Sequence, residues 1–165
     1  AIISHLADRL PEKPIWPAAS MAARAHAKSI SLEMHAGFRT LRQACPMNLG
    51  KLFEPPQIND DLRADLTRLE FLWRDTQQRF GGEGGYLFGA FSAADAMYAP
   101  VVTRLDTYQL PVAEDTRTYM DKILNNNAFT EWRQQALAEP WSIAEYEAGH
   151  TVVEDYWTPT YKASI

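Results

Sequence analysis

The sequence predicts an all-α protein, a bundle of five or more helices preceded by one extra helix. Three observations carry this. Apolar residues recur every three or four positions through most of the chain, proline or glycine closes most of these runs, and strand-like alternation is nearly absent. The 165 residues suit a single domain with a real core, because hydrophobic residues make up 46% and charged residues 22%, too apolar for a disordered chain.

The opening AIISHLADRL sets Ile2, Leu6 and Leu10 four apart with Ile3 and Ala7 alongside, a helix that starts with neither a Met nor a capping residue. It reads as a helix entered after its beginning. Three prolines in PEKPIWP, residues 11 to 17, end it and force an extended connector, since proline lacks an amide donor and restricts its predecessor. From about Ser20 to Ala44 one helix is predicted, with Ile30, Met34, Phe38, Leu41 and Cys45 on its stripe and Pro46 as its stop. At ~1.5 Å per residue that rod approaches about 40 Å.

A second long helix is predicted from about Asn59 to Phe80, with Leu62, Leu66, Leu69, Trp73 and Phe80 on one stripe, Asn59 or Asp60 as cap and Gly81 as terminator. The Pro55-Pro56 connector makes the two rods an antiparallel pair. A third helix runs from Ser92 to about Tyr108, broken or bent near Pro100. Two shorter ones follow over Ala113 to Asn125, carrying Met120, Ile123 and Leu124, and over Asn127 to Ala138, carrying Phe129, Trp132 and Ala136. The last 25 residues read as a short helix and an irregular tail, with Thr151 to Val153 too short to make a strand.

Asp plus Glu number 21 against 16 for Lys plus Arg, a net charge of −5, so no global positive field draws in nucleic acid or anionic lipid. A single cysteine excludes an internal disulfide, and the absence of an 18-residue apolar run argues against a membrane span; a cytoplasmic protein is the expectation. No two of His5, His26, His35 and His150 share the i, i+4 spacing of a helical metal site, so no metal is expected. Cys45 lies on an apolar stripe, where the thiolate is disfavoured, and reads as core.

The stretch GGYLFGAFSAADAMYAP, residues 84 to 100, is the most informative. Glycines 81, 82, 84 and 85 permit a tight reversal, but without a Gly-Lys-Ser/Thr ending or a preceding strand they make no phosphate loop. Ser92 and Asp95 form a capping box: the hydroxyl accepts from the third helical amide and the carboxylate reaches back to the Ser92 amide. The accompanying hydrophobic staple would pair Phe91 with Ala96, a poor partner, which leaves either Met97 as substitute or a weak staple.

Aromatic-Leu-x-Gly-x-x-Ser-x-Ala-Asp over residues 86 to 95, a proline five residues on, and Asn-Ala-Phe-x-x-Trp over 127 to 132 together resemble the C-terminal helical domain of the glutathione transferase family. Ile15-Trp16-Pro17 looks like the family's domain-joining segment, and residues 29 to 48 resemble the first long helix of a bacterial branch. The resemblance covers residues 1 to about 141. It implies the last helix of an otherwise absent thioredoxin-like domain at 1–10, an interdomain linker at 11–17, the helical domain at 18–141 and a tail at 142–165.

The resemblance also implies that glutathione, as co-substrate, is bound by the thioredoxin-like domain and that its thiolate attacks a small hydrophobic electrophile, a detoxification chemistry. Ala1-Ile2 look like the family's Ala-Ile, which puts its glutathione-binding Ser two positions upstream and the sulfur-activating residue further still. No residue here takes a catalytic role by resemblance, and the chain alone is expected to be inactive.

The resemblance further implies that the helical domain supplies the wall of the electrophile pocket, chiefly from its first long helix and its central helix. The candidates are His35, Phe38, Arg39 and Arg42, taken as one face of the first rod, with Phe38 and Arg42 foremost, and Met97, Val101 and Arg104 on the central helix. Phe38 would pack against an apolar electrophile and Arg42 would stabilise charge on a leaving group or a carboxylate. Trp157 and Tyr161 in the tail would cover the pocket mouth or pack on the other domain. A homodimer is expected. The alternatives are a non-catalytic interaction module, since such helical domains also resemble assembly modules of translation factors and synthetases, and a small carrier of apolar ligands.

Overall fold

The computed structural model of the chain describes residues 1–141, 143–147 and 149–157. Helix α1, Ile2–Arg9, lies on the surface and buries no residue completely. The proline-rich connector then turns inward: Trp16 is buried, and the Ile15 carbonyl accepts from the Ala93 amide at 2.8 Å.

The predicted 20–44 rod is two helices, α2 over Met21–Ala36 and α3 over Arg39–Ala44. Between them Phe38 adopts the left-handed conformation (φ 55°), which costs a non-glycine residue about 1–2 kcal/mol. Gly37 makes the break sterically possible, since a Cβ there would stand 2.8 Å from the Glu33 carbonyl oxygen. The apolar spacing continues through the break, so periodicity alone cannot reveal it. Ile30, Met34, Phe38, Leu41 and Cys45 are all buried.

A 21-residue helix, α4, spans Asp60–Phe80, with the Asn59 side chain accepting from the Leu62 amide at 2.9 Å. Its Asp65 accepts from the Leu41 amide at 2.9 Å, supplying the N-terminal partner that the α3 cap residue, Phe38, cannot. Beyond the glycine segment come α5 (Ala93–Thr107), α6 (Glu114–Leu124) and α7 (Asn127–Leu137). Helix α5 runs on through Pro100 rather than breaking there. Trp73 of α4 meets Tyr98 of α5 and Tyr119 of α6 edge-on, with ring centroids 5.4 and 4.7 Å apart. This aromatic trio is the centre of the core.

The tail departs from expectation. After the one-turn α8, Ala144–Glu147, residues Val152–Asp155 form a strand, β2, antiparallel to β1 at Lys51–Phe53. Three residues beside a proline-rich connector are too few for alternation to register, so this ribbon could not be read from the sequence.

Candidate functional site

One cavity of about 270 Å³ opens between the α2–α3 break and the outer face of α5. His35, Phe38 and Arg42 line one side, and Met97, Val101 and Arg104 the other. Six of the seven residues singled out as pocket candidates therefore meet at one place. Arg39 does not: the turn at Phe38 rotates α3 relative to α2, so residues 35, 38, 39 and 42 do not form one continuous helical face, and Arg39 is exposed elsewhere. Met34, Leu41, Ala96 and Pro100 complete the lining. The α5 members fall at spacings of three and four, a signal present in the sequence.

The break shapes the cavity chemically. Carbonyls at a helix C-terminus have no partner within the helix, and Arg42 takes up those of α2 from below. Its Nη2 donates to the Met34 carbonyl at 2.6 Å and more weakly to that of His35 at 3.4 Å, while its Nε donates to Gly37 at 3.2 Å. The charge also complements the negative end of the helix dipole. Across the cavity, Arg104 donates through Nη1 to the Pro100 carbonyl at 3.0 Å, but its buried Nε has no partner among the described residues. Burial, and after it the charge of Arg42, pulls the Arg104 guanidinium below its ordinary range. Phe38 and Val101 are buried and Met97 is half-buried, so the cavity floor is apolar and its rim cationic.

At the other end of α5 the Ser92–Asp95 capping box forms, with Ser92 N to Asp95 Oδ2 at 2.8 Å. Asp95 also accepts from the Ser92 hydroxyl at 3.0 Å, the Leu87 amide at 3.1 Å and the Tyr119 hydroxyl at 3.2 Å. Burial pushes its carboxyl above the usual range, and these four donors pull it back. Phe91 is partly exposed and sets its ring edge-on to Tyr86 at 5.3 Å. Gly85 and Gly89 take positive φ in the turn between α4 and the box.

The family model described as glutathione S-transferase, C-terminal domain, matches residues 33–136, well over half the chain. The chain belongs to this family. No curated protein matches it. In this glutathione transferase-type domain the matched region contains α3 to α6 whole and the cavity entire.

Trp157 lies away from that cavity. It lines a separate hollow with Trp132 and Trp141, and its indole donates to the Glu139 carbonyl at 2.8 Å. Tyr161 falls outside the described residues. Cys45 is fully buried and its thiol is pushed up to about 12, chiefly by burial. Among the described residues no group of three or more His, Cys, Asp or Glu is gathered as a metal site would require, and no helix is long and apolar enough to cross a membrane.

Proposed function

We propose that this chain is the electrophile-binding half of a glutathione transferase. Residues 1–10 would be the last helix of its thioredoxin-like domain, 11–17 the linker, 18–141 the helical domain and 142–165 a tail. The observation that carries the reading is the cavity itself: in a chain of this family, the α2–α3 break and α5 enclose an apolar floor bounded by two guanidinium groups. A small electrophile resting on Phe38, Met97 and Val101 would present its reacting carbon outward. The glutathione thiolate would form the carbon–sulfur bond as the leaving group departs with its electron pair, and a guanidinium would stabilise the charge that develops.

Among the described residues no Ser, Tyr or Cys lines this cavity, and Cys45 holds its proton at neutral pH; in this reading the hydroxyl that lowers the pKa of the glutathione thiol comes from the thioredoxin-like domain. Residues 1–165 alone are therefore expected neither to be retained on a glutathione column nor to conjugate an electrophilic nitroaromatic above the uncatalysed rate. Glutathione-saturable turnover by the isolated chain would defeat this assignment of roles.

A second reading rests on α1. Ile2 is 78%, Leu6 44% and Leu10 41% exposed, an apolar face with no cover from the described residues. In the enzyme reading a thioredoxin-like domain of the same polypeptide covers it; in a non-catalytic module the cover is a protein partner. Either reading accommodates a two-fold dimer, for which Leu32 of α2 and Phe71 of α4 offer exposed apolar residues.

A further inference from the structure

The charges around the cavity are unbalanced. Neither Arg42 nor Arg104 belongs to any of the ion pairs among the described residues. The nearest carboxylates along the chain are taken: Glu33 pairs with Arg68 at 2.8 Å, and Asp106 pairs with Arg117 at 3.0 Å. Among the described residues no Asp or Glu lines the cavity, and its third titratable group, His35, is also basic. Among the described residues both arginines bond only to backbone carbonyls and thioether sulfurs, which carry no net charge, and both keep N–H donors in reserve. The donors left are Nη1 of Arg42 and Nη2 of Arg104; the Arg104 Nε also lacks a partner among the described residues but is buried away from the cavity surface.

Arg42 and Arg104 face the same cavity, and two like charges there, one of them partly desolvated, disfavour each other; an anion between them would relieve this. The protein as a whole is acidic, with net charge −5, so this positive hollow is a local departure from its surroundings. Guanidinium groups with free N–H pairs match the geometry of a carboxylate.

We propose that the cavity selects a small apolar acid, whose carboxylate is held by Arg104 and Arg42 while its hydrocarbon part rests on Phe38, Met97 and Val101. This deepens the electrophile-pocket reading and rests on it. Arg104 is the specificity-determining residue; Arg42 has a second duty at the end of α2 and is the less clean one to alter. A carboxylate could also come from glutathione itself, and the test separates the two sources.

Phenylacetate, its methyl ester and glutathione are titrated into the chain at neutral pH, where the acid is ionised, and followed by ligand-detected NMR. The acid is expected to bind about tenfold or more tightly than the ester, as a charge-assisted pair warrants. Added salt should weaken the acid alone. Arg104→Gln, checked for an unchanged melting transition, should bring acid and ester within about twofold of each other, chiefly by weakening the acid. An ester that binds as tightly as the acid overturns the proposal and leaves the apolar pocket standing. Arg104-dependent binding of glutathione without binding of phenylacetate assigns the charge to the co-substrate and also overturns it. Binding of neither acid nor ester defeats the pocket reading and the proposal together.

Discussion

The two ends of α5 solve opposite problems with the same kind of material. At its start a carboxylate, Asp95, is buried with no exposed surface and receives hydrogen bonds from four donors. Near its end a guanidinium, Arg104, is partly buried and still has an unpartnered Nε. The first arrangement is closed: the carboxylate is fully hydrogen-bonded, and the linker is tied in alongside through Ile15 and Ala93. The second is open, with charge that the fold itself does not neutralise. The difference separates a polar cluster that the chain completes itself from one in which both guanidinium groups lack a carboxylate partner among the described residues.

The closed end should break hardest. Asp95→Ala removes the common acceptor of the Ser92 amide and hydroxyl, the Leu87 amide and the Tyr119 hydroxyl, in a place water cannot reach. Some of the loss is offset because an ionised carboxylate is itself unfavourable there. The stranded donors dominate, and the expected loss is about 4 kcal/mol in urea unfolding. A loss below about 1 kcal/mol would mean the donors find other partners and the junction is not the tie it resembles.

The capping box could be read from the sequence because both halves lie within four residues, and local hydrogen bonding follows from local spacing. Tyr119 and Leu87, which complete the Asp95 shell, come from another helix and from the glycine turn, and nothing in their own neighbourhoods announces it. The same limit explains the break at Phe38. Apolar periodicity records which face is buried, and the face stays buried through the turn. What decides the turn is Gly37 against the Glu33 carbonyl and Arg42 reaching back, the second of them a contact across the break. The cavity was legible in outline because the family resemblance pointed to the first long helix and the central helix, and spacing then picked out His35, Phe38 and Arg42 on one and Met97, Val101 and Arg104 on the other; the loss of Arg39 from it is a consequence of the unseen turn.

At the open end the effect should be smaller. Arg42→Ala removes donors from the Met34, His35 and Gly37 carbonyls and a favourable charge from the end of α2. Because this site borders an open cavity, water can replace part of what is lost, and about 1–2 kcal/mol is expected. Arg42→Lys should recover less than half of it, since an ammonium cannot span the three carbonyls as the planar fork does. Full recovery by lysine would reduce the role of Arg42 to charge alone.

Cys45 lies near the open end, fully buried and close enough to Arg104 for their charges to interact, and it provides the mildest test. Its thiol is pushed from an ordinary value of 9.0 up to about 12, so the folded chain keeps a proton that the unfolded chain gives up first. The stability this represents is fully present below about pH 9 and is lost as pH rises through the window between the unfolded and folded values. Tyr98, Tyr108 and Tyr119 are also raised and act in the same direction above pH 10, so the thiol must be isolated by difference. Cys45→Ala, which empties a fully buried position, should have the lower urea midpoint, by a constant separation from pH 7 to about 8.5 that narrows only beyond it, the wild type falling faster. A separation that stays constant through pH 10 would mean that solvent or Arg104 already supports the thiolate, and the boundary between the closed core and the open, cationic cavity would then lie deeper than Cys45.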